Sequence, residues 1–271
     1  MEPVPAASRP GPAPAPASPG PAFTADPAQG RLFGTARLVR STDVTPDGRL
    51  RFDALARYLQ EAAEDDVADT GWDAPYDWRL RRCEVAVHGY PRYGDQVTLR
   101  TFCSATGPRW AERTTTLAGP GGDLMQSRAV WVAIARADGR PCPLGAEFYH
   151  WYGAATGGRE VSARLTHPVP PAAETLDSRP WPLRASDFDP AGHVGNTIHW
   201  AAVEDVLTQS AALPVTAGLE YHRPVLPGQQ PRLVTASADG LAWAWLLADT
   251  QRLASARLTF AAGTGPPQTQ Q

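Results

Sequence analysis

Apolar residues recur at helical spacing in two stretches of the chain and at alternating spacing in eight, and the two kinds follow one another in the same order twice. Leu55, Tyr58, Leu59, Ala62 and Ala63 predict one apolar helix face over residues 53–63, with Asp53 as its N-cap. A second helix is predicted from about Thr197 to Leu207, where Ile198, Ala201, Ala202, Asp205 and Val206 keep the spacing and Trp200 and Val203 broaden the stripe. A helix with so little polar face belongs inside the fold. After the first helix, Cys83, Val85 and Val87 alternate with Glu84, Ala86 and His88, and a Gly94-Asp95 turn leads into Val97, Leu99, Thr101 and Cys103; strands at 110–117 and 124–135 follow. After the second helix the strands fall at 219–224, 233–236, 242–247 and 253–261, with a turn at Pro227-Gly228.

The order is an internal repeat. Arg40-Ser41-Thr42-Asp43-Val44-Thr45-Pro46-Asp47-Gly48 has its counterpart in Arg184-Ala185-Ser186-Asp187-Phe188-Asp189-Pro190-Ala191-Gly192, 144 positions later. An antiparallel sheet beside one long helix must cover an apolar face, and wrapping the sheet around the helix does so. The expected fold is therefore α+β, a tandem double hotdog with each antiparallel sheet wrapped around a central helix. The expected division is a disordered Pro/Ala-rich leader over 1–30, an N-terminal hotdog over 31–148, a linker over 149–182, a C-terminal hotdog over 183–261 and a disordered tail over 262–271. The halves should pair as an internal pseudo-dimer, with homodimerisation of the whole chain as an additional option.

Composition narrows the function. Of 271 residues 42% are apolar, enough for a packed core, and nine of the 28 prolines fall in residues 1–30. A net charge of −3 with acids and arginines interspersed gives no phosphate-binding surface, so nucleic acid is not an expected partner. Cys83, Cys103 and Cys142 are odd in number and lack metal-ligand spacing, which suits reduced thiols in a cytoplasmic protein. The longest apolar stretch, Leu241 to Ala248, is too short to cross a bilayer.

Several segments, in order, resemble the acyl-acyl-carrier-protein thioesterases, which are fused double hotdogs. In the first half these are Leu59-Gln60-Glu61-Ala62-Ala63, Trp78-Arg79-Leu80-Arg81-Arg82, Tyr90-Pro91-Arg92-Tyr93-Gly94-Asp95-Gln96-Val97 and Ser127-Arg128-Ala129-Val130-Trp131-Val132. In the second they are Asp187 through Asn196 and Leu219-Glu220-Tyr221-His222-Arg223. The turn Asp189-Pro190-Ala191-Gly192 is also similar to the active-site turn of single-hotdog acyl-coenzyme-A thioesterases. The resemblance implies hydrolysis of fatty or polyketide-like acyl thioesters within lipid metabolism, without a cofactor or metal. The partner it implies is an acyl carrier protein bearing a phosphopantetheine arm.

It also implies a site. Asp189 is the expected catalytic carboxylate and His193 its partner, while Gly192 and Asn196 shape the turn and the oxyanion position. The first-half turn has Thr45 and Arg49 in the places of Asp189 and His193, so only the second is equipped. The sequence departs from the family where an asparagine and a Glu-Cys pair are expected: Ala191, Pro224 and Val225 stand there. Glu220 and His222 are candidate substitutes, with Glu204 a further carboxylate better explained by helix solvation. Leu55, Tyr58 and Leu59 are candidates for the acyl tunnel, though core packing places them equally well. Arg79, Arg81 and Arg82 are candidates for carrier binding, with a charge-guarded strand edge as the alternative. Two other functions stay open on the residues alone: an enoyl or 3-hydroxyacyl thioester hydratase-dehydratase, and a degenerate hotdog that binds acyl chains without turnover.

Overall fold

A ten-stranded antiparallel sheet carries the chain, and its strand order reads the same from either edge. The computed structural model describes residues 22–171, 176–208, 210, 212–238 and 240–261; the predicted tail and the leader up to residue 21 lie outside them. The first half supplies β1 (Phe33–Leu38), β2 (Tyr76–Val87), β3 (Gln96–Gly107), β4 (Trp110–Gly119) and β5 (Gly122–Ala135). The second supplies β6 (Asp177–Pro180), β7 (Pro214–Tyr221), β8 (Arg232–Ala238), β9 (Leu241–Ala248) and β10 (Gln251–Phe260). The sheet runs β1-β3-β4-β5-β2-β7-β10-β9-β8-β6, so corresponding strands lie at equal distances from the β2–β7 junction. That junction pairs Arg82 with Glu220 through Ala86 with Thr216.

Two helices fill the concave side: α1 (Phe52–Thr70) and, after the intervening helix α2 (Gly145–Thr156), α3 (His199–Leu207). Their buried faces share one core, in which Phe52 stacks on Trp200 with centroids 5.7 Å apart. Each half is thus a hotdog. Helix α1 runs seven residues beyond its predicted end, to a C-cap at Gly71 with φ 65°. Among the described residues no helix is long and apolar enough to cross a membrane.

The repeat holds bond for bond in the turns before α1 and α3. Thr45 N–H donates to the Arg49 carbonyl and Asp189 N–H to the His193 carbonyl, both at 2.8 Å. Gly48 and Gly192 occupy the same left-handed position, at φ 83° and 77°. Arg51 N–H reaches the Asp43 carbonyl and Gly195 N–H the Asp187 carbonyl, both at 2.9 Å.

Several boundaries differ from those predicted. Residues 22–30 are not a disordered leader: Phe23 stacks on His88, Thr24 bonds Gln126 through both its N–H and its carbonyl, and Asp26 pairs with Arg100. The first domain boundary falls inside α2, a helix whose Phe148, Trp151, Tyr152 and Ala155 keep helical spacing but whose glycines and alanines read as linker from Tyr149 onward. The linker after α2 is strapped to the sheet, and the second hotdog begins at β6, before residue 183.

Asp53 does not cap α1. It lies inside the first turn and pairs with Arg51, while the Phe52 N–H donates to Glu204 Oε1 of α3 at 2.6 Å. Glu204 is therefore not a solvated helix residue. Both its oxygens also meet the Arg49 guanidinium, at 3.2 and 2.6 Å, and the pair is buried, with Arg49 5% and Glu204 9% exposed. Removing one member strands the other's charge in the core. Glu204→Ala is expected to lower the unfolding free energy by about 3 kcal/mol or more, and the double replacement Arg49→Leu/Glu204→Leu by distinctly less. Urea denaturation of the variants measures both; a single-variant loss under about 1 kcal/mol would contradict this role.

Candidate active site

Below the first-half sheet lies a cavity of about 530 Å³. Its floor is a second face of α1, made by Gln60, Ala63, Glu64, Val67 and Ala68, which recur at helical spacing one step round from the core face. Its far wall is aromatic: Trp72, Trp78 of β2, Trp131 of β5, and Phe148 and Tyr152 of α2. Trp72, Trp78 and Tyr152 each stand within 6.2 Å of Phe148, measured between ring centroids along the cluster. Arg113 of β4 lines the side and donates to the fully buried Asp66 at 2.6 Å; Arg31 takes the other Asp66 oxygen at 2.5 Å. This buried ion pairing ties the cavity wall to α1.

Asp189 and Asn196 stand at the mouth. Both line the cavity and also an outer vestibule of about 260 Å³, in each case together with Gln60 and Glu64. The turn fixes the carboxylate: Asp189 Oδ1 accepts from the N–H groups of Ala191 at 2.9 Å and His193 at 3.1 Å. Oδ2 accepts no hydrogen bond among the described residues. Asp189 is exposed, and it is exposed at the rim of an apolar channel. The N–H groups of Asn196 and Thr197 donate no hydrogen bond among the described residues, although they begin the turn that enters α3. Such N–H groups favour developing negative charge.

The other expected residues divide. Gly192 makes the left-handed turn position, and its N–H is spent on the Asp189 carbonyl. His193 brackets Asp189 through its main chain and lines neither the cavity nor the vestibule. Glu220 and His222 are not substitutes for the missing family acid, since they flank Tyr221 on β7 and Tyr221 is the residue that faces Asn196. On the opposite face, Glu220 accepts from Thr166 N–H at 2.6 Å and His167 N–H at 3.0 Å, and Ser255 Oγ lies between His167 and His222. That cluster straps down the linker. Leu55 and Tyr58 are core residues, Tyr58 through a hydroxyl donated to Asp43, while Leu59 lines a void of about 30 Å³ that shares Gln60, Ala63, Arg113, Trp131 and Asn196 with the cavity. Arg81 and Arg82 donate to the Tyr221 and Arg164 carbonyls, which leaves Arg79 as the exposed member of its cluster.

Gln60 and Glu64 are the site residues that the sequence reading passed over. Gln60 Nε2 donates to Glu64 Oε1 at 3.0 Å. The repeat could have found them: Gln60 is the counterpart of Glu204 at the same 144-residue offset. Cys103 also lines the cavity, but burial pushes its thiol up to about 12, so it is not a thiolate nucleophile. Among the described residues no group of three or more His, Cys, Asp or Glu side chains could hold a metal.

Residues 30–152 match the family model for the acyl-ACP thioesterase N-terminal domain. Two uncharacterized proteins from strains of Mycobacterium tuberculosis are each 29% identical to this chain over 213 residues, 77% of this chain and 84% of theirs. A putative oleoyl thioesterase of Lactobacillus plantarum superposes with a TM-score of 0.75 at 19% identity, over 89% of this chain and 99% of its own. The 12:0-ACP thioesterase of Umbellularia californica does so with a TM-score of 0.71 at 22% identity, over 84% and 96%. At these identities the two structures establish a shared fold.

Beneath the mouth, His199 opens α3 with its ring 5.2 Å from that of Tyr221 and its Nδ1 3.1 Å from the Gly195 carbonyl. Full burial lowers its pKa to about 4, so it is neutral in the fold and the unfolded chain takes up its proton first. Stability contributed by neutral His199 is complete above about pH 6.5 and is lost as pH falls toward 4, by about 3 kcal/mol. Denaturation from pH 8 to 4.5 should show this decline. His199→Gln should lessen it, the remainder coming from His222, whose pKa burial also lowers to about 4, and an unaltered slope would contradict the assignment.

Proposed function

We propose that the chain, whose residues 30–152 match the family model for the acyl-ACP thioesterase N-terminal domain, hydrolyses acyl thioesters at the cavity mouth with Asp189 as the catalytic carboxylate. The observation that carries this reading is the position of Asp189: its one free oxygen stands where an apolar channel meets a solvent-filled vestibule. An acyl chain laid along α1 toward the Trp72 and Phe148 wall brings its carbonyl to that oxygen and to the Asn196 N–H.

Asp189 Oδ2 takes a proton from a vestibule water as the water oxygen bonds to the carbonyl carbon. The carbonyl electron pair moves onto oxygen, where the Asn196 and Thr197 N–H groups stabilise it. Collapse breaks the C–S bond, and the Asp189 carboxyl returns its proton to the departing sulfur. A thiol of pKa about 8.5 leaves readily, so one carboxylate and one oxyanion site suffice. The partner this reading implies is an acyl carrier protein, and Arg79 is the exposed arginine of the predicted cluster available to an acidic surface.

Following free thiol with acyl-carrier substrates tests the reading, because a hydratase releases none. Asp189→Asn should cut kcat by about 10²-fold or more while acyl binding persists; His193→Ala should cost about 10-fold. Unchanged thiol release in the aspartate variant would remove Asp189 from the mechanism. Ala63→Phe, which fills the cavity floor, should shift preference toward shorter acyl chains, read as kcat/KM across a chain-length series. An unaltered preference would place the chain elsewhere.

A further inference from the structure

The two ends of the repeat differ at one chemically decisive place. At the first, the N–H of Phe52 is already occupied by a carboxylate oxygen, Glu204 Oε1 at 2.6 Å, with Arg49 holding the carboxylate. At the second, the counterparts are the N–H of Asn196, the side chain of Gln60 and His193. The first end therefore displays, permanently filled, the anion position that the second leaves vacant. Gln60 does not reach back to the Asn196 N–H as Glu204 does to Phe52; its carboxamide is turned aside, with Nε2 donating to Glu64 Oε1 at 3.0 Å. Glu64 has no acidic counterpart, since Thr208 stands at its place in the repeat.

We propose that Gln60 is a second catalytic residue of the hydrolysis: its side-chain oxygen, oriented by Glu64, accepts a hydrogen bond from the attacking water opposite Asp189, and its neutrality keeps the Asn196 N–H open for the thioester oxygen. With an Nε2 hydrogen bonded to Glu64, Oε1 is the acceptor that the carboxamide, which lines both cavity and vestibule, has to offer. Water held between Oε1 and Asp189 Oδ2 has both protons engaged and a lone pair free for the carbonyl carbon. Glu64 is a positioning residue. A carboxylate at position 60 would repel Glu64, turn to the Asn196 N–H and fill the oxyanion position with fixed negative charge, as Glu204 does at the other end.

This rests on the hydrolase reading, and the test separates the two. Thiol release is compared for wild type, Asp189→Asn, Gln60→Glu, Gln60→Ala, Glu64→Ala and Glu64→Gln, with circular dichroism and melting curves as the check on folding. Gln60→Glu is expected to lose at least about 10²-fold in kcat at pH 8, with its activity relative to wild type rising as pH falls toward 5 and the new carboxyl takes up a proton. Gln60→Ala should lose about 10-fold or more with no such pH dependence. Glu64→Ala should lower kcat at little changed KM, and Glu64→Gln, which keeps an acceptor oxygen, should restore most of it. A folded Gln60→Glu variant with wild-type turnover overturns the proposal alone, provided Asp189→Asn is impaired. Wild-type protein that releases no thiol from any acyl thioester overturns the hydrolase reading and this proposal together.

Discussion

The N-terminus of each central helix lies beside the side chain of its neighbour, and the carboxylate that Glu204 places on α1 is the contact on which the rest is built. A helix start presents N–H groups without intrahelical partners and half a positive charge, so it needs an anion or water. In a core with no room for water, the anion must come from the protein. Glu204 supplies it from the other half of the chain, and Arg49 compensates its remaining charge. The contact fixes α1 against α3, and with it the stripe from Gln60 to Ala68 that floors the cavity. It also consumes one of the two sites that the repeat would otherwise offer.

The asymmetry is economical in residues. Thr45 and Asp189 make the same turn, and Arg49 and His193 N–H groups reach their side-chain oxygens at the same 3.1 Å. A hydroxyl has one oxygen and spends it on the turn; a carboxylate spends one and keeps the second. Exchanging Glu for Gln on the facing helix then leaves the neighbouring N–H uncompensated. One end of the repeat becomes a structural clasp and the other a reactive mouth, with the same backbone.

Legibility followed the range of the forces involved. Eight of the ten strands and two of the helices were readable because period-two and period-3.6 patterns arise within one segment, and the turn before α3 was readable as a repeat of the turn before α1. Helix α2 was not, because its glycines and alanines read as linker although Phe148, Trp151 and Tyr152 share one face, and its order comes from the aromatic wall it completes. The same limit governed the site. Asp189 and Asn196 could be named from their turn, whereas Gln60 and Glu64 are brought to them by the crossing of two helices over a hundred residues apart in sequence. Alternation on β7 put Glu220 and His222 on one face correctly, but only the position of Tyr221 reveals that this face looks away from the cavity.

The exposure of Asp189 is what its chemistry demands. A carboxylate sunk in the aromatic cavity would lose hydration worth far more than two N–H contacts return, and would take up a proton and cease to act as a base. At the rim it keeps one oxygen bound by the turn and the other without a hydrogen bond among the described residues, and under the proposed reading the acyl chain alone would enter the cavity. The carbonyl is then the only polar group of the chain that must leave bulk water, and it does so where Asn196 and Thr197 offer N–H groups in exchange. Placing the charged group outside and the uncharged chain inside separates binding energy from acid-base chemistry.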